Sequence, residues 1–197
     1  MDHGAGGHSA MNMRDPSVAP QVKMGPGVAT LSPMPMDRTG ERPTGLEKVD
    51  HRVLTYHDLK SLAPNADTRT PSREIDLHLT ANMERYMWSF DGQMYSAVSD
   101  VPIRFAWNER VRVKLINNTM MAHPIHLHGH FFELVNGAPG DRQPLKHTVV
   151  VQPGGNAQFD LTADETGDWA FHCHLLYHMH AGMFQIVTVA NPDGSTA

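Results

Sequence analysis

The run His172-Cys173-His174, with His178 five residues beyond the cysteine and Met183 ten beyond it, constrains this chain more than any other feature. Successive side chains of a strand point to opposite faces, so on an extended backbone the two imidazoles share one face and the thiol takes the other. One short piece of backbone then serves two sites.

The surrounding sequence supports strands. From Arg73 onward short alternating runs follow one another: Ile75, Leu77 and Leu79; Val111, Val113 and Leu115; Val149 and Val151; Phe159 and Leu161; Phe184, Ile186 and Thr188. Turn signals separate them, among them Asp91-Gly92, Asn136-Gly137, Pro153-Gly154-Gly155 and Thr166-Gly167-Asp168. No segment carries a long 3.6-residue stripe and no internal repeat is present. The expected fold class is all-β, an antiparallel β-sandwich over residues 73–191 with a tail at 192–197. Residues 1–72 are rich in Met, His, Gly and Pro and have no sustained hydrophobic period. They read as a mobile or loosely packed extension or interdomain linker, with local order over His51–Leu59.

At 197 residues the chain has room for one ordinary domain plus this extension. Its 16 Lys+Arg against 21 Asp+Glu give a formal charge of −5, which argues against nucleic acid or an anionic membrane as partner. No run of 18 apolar residues occurs, so membrane insertion is not expected. The first thirty residues show no basic segment followed by an apolar one, and the chain as given carries no export signal. The composition is biased instead toward 14 His and 13 Met beside a single Cys, the donors that transition metals use. One cysteine makes no intrachain disulfide, so Cys173 says nothing by itself about the redox compartment.

A second cluster lies upstream, where His123-Pro124-Ile125-His126-Leu127-His128-Gly129-His130 follows a strand and the polar turn Asn117-Asn118-Thr119. On a strand His126 and His128 share a face and can present imidazoles to one metal or to two adjacent ones. A lone H-x-H is more often a surface pair, but four histidines in eight residues have no packing rationale. His126, His128, Glu133 and Gly140 also fit the first motif of the cupins, whose metal is usually iron, manganese or zinc. The second cupin motif fails, because Pro153-Gly154-Gly155 leads to Gln158 where the last histidine ligand belongs.

Taken alone, Cys173 reads as a small buried hydrophobe and Met183 as a core residue. Together with His178 they form the thiolate, imidazole and weak axial thioether of a blue-copper electron-transfer site. His123 is the natural second imidazole. His130 and His180 read as supporting or surface residues, and His147 has no assigned role.

The motifs His123-Pro124-x-His126-x-His128-Gly129 and His172-Cys173-His174-x-x-x-His178-x-x-x-x-Met183 resemble the two C-terminal copper motifs of the multicopper oxidases. Over residues 73–190, Met83-Glu84-Arg85-Tyr86-Met87-Trp88-Ser89-Phe90-Asp91-Gly92 and Asp168-Trp169-Ala170-Phe171 are most similar to the CopA-type periplasmic copper-resistance oxidases. The resemblance implies a Greek-key cupredoxin β-sandwich and copper as the cofactor. It implies that His123, Cys173, His178 and Met183 form a complete type 1 site, with His178 the point at which electrons arrive. His126 would serve a type 2 copper, and His128, His172 and His174 a type 3 pair, together the cluster that reduces dioxygen. The His172-Cys173-His174 run would carry electrons from the cysteine sulfur to either imidazole.

The family's first domain contributes two further H-x-H motifs, and this chain has neither. Its type 2 and type 3 sites are therefore half supplied, and the implied partners are upstream cupredoxin domains, from the same gene or a separate chain, with Cu(I) or a small reductant and dioxygen as substrates. Met1 is then an internal start, a gene fragment or the start of a separate subunit. Met179 stands where some relatives carry an acidic residue linked to proton delivery, so no residue takes that role. The resemblance implies a periplasmic protein of copper resistance. A non-enzymatic copper electron-transfer or copper-holding protein is the rival. The soft thioethers of Met11, Met13, Met24, Met34 and Met36, with His3 and His8, suit weak binding of Cu(I) by the extension.

Overall fold

The alternating runs form two packed sheets in the computed structural model, which describes residues 12–95 and 101–196. The strands begin with β1 (Met36–Asp37), β2 (Arg73–Asn82), β3 (Met87–Phe90), β4 (Ile103–Ala106), β5 (Arg110–Asn117) and β6 (His123–Leu127). They continue with β7 (Phe132–Val135), β8 (Leu145–Lys146), β9 (Thr148–Val151), β10 (Gly155–Thr162) and β11 (Gly167–Cys173). A short helix, α1 (Leu176–His180), then leads into β12 (Phe184–Ala190). One sheet has the order β3-β2-β5-β10-β7-β8, with β1 beside β10, and the other has β4-β12-β11-β6-β9. Among the described residues no helix is long and apolar enough to cross a membrane.

Between the sheets lie Leu79, Trp88, Leu115, Ile125, Phe132, Leu134, Phe159 and Leu161, all essentially without solvent contact. Phe132 stacks on Phe159 at 4.0 Å, and Phe90 of one sheet stacks on Phe171 of the other at 5.3 Å. Full burial of each such side chain contributes roughly 1.5–3 kcal/mol.

The sheets are mixed rather than antiparallel. β2 runs parallel to β5, β4 to β12 and β1 to β10, while the remaining pairs are antiparallel. The chain leaves the first sheet after β3, adds β4 to the second and returns as β5, so β5 meets β2 pointing the same way. Period-two alternation reports which face a side chain takes and is silent on strand direction. The result is the cupredoxin-type sandwich that the resemblance implies.

Residues 12–72 are held against the sandwich rather than loose. Ala19, Val22, Val28 and Leu31 make a small core of their own with Met24 packed on it. The Lys23 N–H donates to the Asp91 carbonyl and the Ala29 N–H to the Ala81 carbonyl, both at 2.8 Å. Thr30 donates to the Asn118 carbonyl at 2.7 Å, and the Tyr56 hydroxyl accepts the Val150 N–H at 2.9 Å. The order expected over His51–Leu59 is a single 3-10 turn at Tyr56–Asp58, where Asp58 accepts the Thr55 N–H. Met13, Met34 and Met36 are exposed, whereas Met11, His3 and His8 lie outside the described residues.

Asp91, at the turn after β3, accepts the His78 N–H at 2.8 Å, yet burial pushes its carboxyl up to about 6. A folded value above the unfolded one favours the neutral acid, so this group's contribution is greatest below about pH 4 and is lost as pH rises toward 6. Asp91→Asn mimics the neutral form. Its thermal midpoint is expected to rise relative to the parent chain between pH 4 and 7, and a constant difference across that range would show that Asp91 ionises freely in the fold.

Candidate metal centre

β6 and β11 lie side by side in the second sheet, with Cys173 opposite Ile125 and His172 opposite His126. Along β6 the alternation sends His123, Ile125 and Leu127 into the core and His126 to the outer face. Along β11 Phe171 and Cys173 point inward, and His172 points outward beside His126. Two sites therefore lie back to back across one sheet.

The inner site forms where the chain turns after β11. α1 carries His178 inward, the Met183 N–H donates to the His178 carbonyl, and the Cys173 N–H donates to the Met183 carbonyl, both at 3.0 Å. Cys173 Sγ stands 3.6 Å from His123 Nδ1 and 3.9 Å from His178 Nδ1, and the two nitrogens are 3.2 Å apart. His123, Cys173 and Met183 have no solvent exposure and His178 has 4%. Among the described residues this is the one group of three His, Cys, Asp or Glu side chains whose ligand atoms come within 4.8 Å of one another.

Burial holds His123 down to about 3, reinforced by the nearby His178, and pushes the Cys173 thiol up to about 11. Burial lowers His178 as well, so all three groups are neutral near pH 7. Thr119 fixes the His123 tautomer. Its hydroxyl donates to the Met121 carbonyl at 3.1 Å and lies 2.7 Å from His123 Nε2. With its one proton so committed, Thr119 accepts from Nε2–H and leaves the Nδ1 lone pair aimed at Cys173. Two imidazole nitrogens and a thiol, dry and facing one another with a buried thioether on the adjoining backbone, fit a copper ion of the His₂Cys type.

Gly182 makes this turn possible. Its φ is +116°, and a Cβ there would come within 2.5 Å of the Trp88 carbonyl oxygen. Gly182→Ala combines left-handed strain with that clash and is expected to lower stability by roughly 2 kcal/mol. Urea denaturation measures it, and an unchanged midpoint would mean that the loop moves aside freely.

The outer face gathers the other four predicted histidines more loosely. Ring centroids are 4.6 Å apart for His126 and His128, 5.6 Å for His126 and His172, 5.7 Å for His126 and His174, and 5.8 Å for His172 and His174. His128 Nε2 faces His172 Nε2 at 3.0 Å. His172 Nδ1 lies 3.0 Å from the Cys173 carbonyl and His126 Nδ1 2.6 Å from the His147 carbonyl. A carbonyl only accepts, so both Nδ1 atoms carry the proton and both Nε2 atoms are free as ligands. His128 and His174 are exposed, and no three of the four rings converge as the inner group does.

The remaining histidines separate by position. His147 is exposed at the edge of the His126 ring, and His180 is exposed on α1. His130 is buried against Trp169, with Nε2 accepting the Glu165 N–H at 3.4 Å. The cupin set does not assemble, since Glu133 sits on β7 in the other sheet and binds Arg110 at 3.0 Å. Two neighbours of the inner site carried no sequence role of their own: Thr119, which shows only as part of a polar turn, and Trp88, which shows only within the run Met83 to Gly92 that carries part of the resemblance.

Residues 68–193 match the family model described as multicopper oxidase. The chain is 48% identical over 145 residues to Copper resistance protein A of Pseudomonas syringae pv. tomato, covering 74% of this chain and 23% of that protein. Copper resistance protein A of Escherichia coli matches at 48% identity, covering 74% of this chain and 24% of its own length. The chain thus spans about a quarter of the length of the curated relatives it matches. Among solved structures, the McoA multicopper oxidase of Aquifex aeolicus superposes with a TM-score of 0.55 at 22% identity, over 66% of this chain and 31% of that one, a likeness of fold.

Proposed function

Since this chain belongs to the multicopper oxidase family, we propose that it contributes one whole copper site and half of a larger one to a periplasmic oxidase of bacterial copper tolerance. The observation that carries this reading is the joining of a buried nitrogen, nitrogen and sulfur group to an open histidine face through the single residue Cys173. In this reading His123, Cys173, His178 and Met183 hold the type 1 ion. His126 serves the type 2 ion, and His128, His172 and His174 serve the type 3 pair. Copper, when bound, supplies one-electron transfer at the first site and dioxygen reduction at the second.

The chain's own part is to prepare donors and connect them. The neutral Cys173 thiol gives up its proton on metal binding, and Thr119 keeps His123 Nδ1 free for the same ion. With copper held there, His178 would face the side from which an electron from Cu(I) or a small reductant arrives, and Cys173 would link the ion by a few covalent bonds to His172 and His174. The exposure of His128 and His174, and the failure of any three outer rings to converge, support a face completed by upstream cupredoxin domains.

A non-enzymatic copper-holding or electron-transfer role is favoured by one observation, that the inner group is complete and dry while the outer face is open. Both readings expect one copper per chain to survive dialysis against a weak chelator, with any copper on the outer face lost. Retention of none, or of several ions, would contradict the division into a closed and an open site.

A further inference from the structure

His178 is buried, and two aromatic rings lie against its imidazole. Trp88, on β3 and without solvent exposure, stacks on the His178 imidazole with centroids 3.7 Å apart and planes 18° apart. The same indole meets His123 edge to face at 5.3 Å. Tyr86, 49% exposed, stands edge-on to Trp88 at 6.0 Å and to His178 at 6.5 Å.

Two features set these rings apart from ordinary packing. Trp88 Nε1 is buried with no hydrogen-bond partner among the described residues, which costs about 1–3 kcal/mol that a phenylalanine would avoid. Tyr86 adopts a left-handed conformation, φ +52°, uncommon for a bulky residue. The turn that imposes it is pinned by the Tyr86 N–H to the Met83 carbonyl and by Asn82, which accepts the Arg85 N–H and donates to the Pro26 carbonyl. β3 is tied to the metal loop in turn by the Trp88 N–H to the Ala181 carbonyl at 3.2 Å.

We infer that Trp88 is a positioning residue for His178 and that Tyr86 and Trp88 form the ring path by which an electron from a one-electron donor at the surface reaches it. The inference rests on the copper reading of the inner site. One electron leaves the donor, a Cu(I) ion or another one-electron reductant, and reduces the Cu(II) held at His178 by one. Neither ring is oxidised and no proton moves. The electron-rich indole face also favours the more positive oxidised centre, so Trp88 holds the reduction potential down.

The test uses the copper-loaded full chain and the variants Tyr86→Leu, Trp88→Phe and Trp88→Leu, with ferrocyanide as donor. Tyr86→Leu is expected to keep the visible band and the potential while slowing reduction about tenfold. Trp88→Leu is expected to keep the band and shift the redox equilibrium about fivefold toward the reduced form, a change of about 1 kcal/mol. Trp88→Phe, which keeps a stacked ring, is expected to fall between, and it decides the matter if the leucine variant does not fold. Reduction rates within twofold of the parent for Tyr86→Leu, with an unmoved potential for the Trp88 variants, would overturn the inference and leave the copper site standing. A parent chain that gives no thiolate-to-copper band would overturn the copper reading itself and this inference with it.

Discussion

Dioxygen uptake by the copper-loaded chain alone, with Cu(I) or a phenolic donor, is expected to fall at least about 100-fold below that of the same chain supplied with upstream cupredoxin domains. Losing a single outer-sphere partner of a metal site costs 10- to 100-fold in affinity or activity, and in the proposed function half of the direct ligands come from outside this chain. His126, His128, His172 and His174 approach from one sheet face only, with two of the four rings exposed. Ions held there lack the fixed geometry that a bridging site requires. A second copy of the chain repeats the same half-set, so self-association does not repair it. Uptake by the lone chain at the rate of the completed assembly would mean that the cluster forms without upstream ligands.

What the sequence made legible was the pairing of residue type with period. His172-Cys173-His174 on a strand separates thiol from imidazoles by geometry alone, and β11 does so for His172 and Cys173, while His174 lies one residue beyond its end. The separation of His123 from His126 across β6 follows from the same alternation, because odd and even positions of a strand face opposite ways. Contacts with no period were invisible. The extension is tied to the sandwich by single hydrogen bonds such as Lys23 to Asp91 and Ala29 to Ala81, and a four-residue apolar cluster holds its own turns together. A Met-, Gly- and Pro-rich composition, read as looseness, does not report them. Strand direction was equally hidden, so the parallel pairing of β2 with β5 had no signature. Thr119 and Trp88 act through the third dimension, one on the far nitrogen of His123 and the other on the face of His178.

In the proposed function Cys173 is the sulfur ligand of a buried copper ion, and the visible spectrum of the copper-loaded chain with and without that sulfur tests this role most directly. Cys173 Sγ lies within 4 Å of both His123 Nδ1 and His178 Nδ1, in a site closed to solvent. A thiolate bound to copper beside two imidazoles gives an intense charge-transfer band, and no other side chain in the inner group can replace it, since a serine oxygen is a hard donor and a neutral one. Thermal melts of the metal-free proteins serve as the control, because Cys173→Ser changes one buried atom and should leave the sandwich folded. An intense blue band is expected for the parent chain, with its complete loss in folded Cys173→Ser. A band of equal strength in the folded serine variant, or no band in the copper-loaded parent, would contradict it.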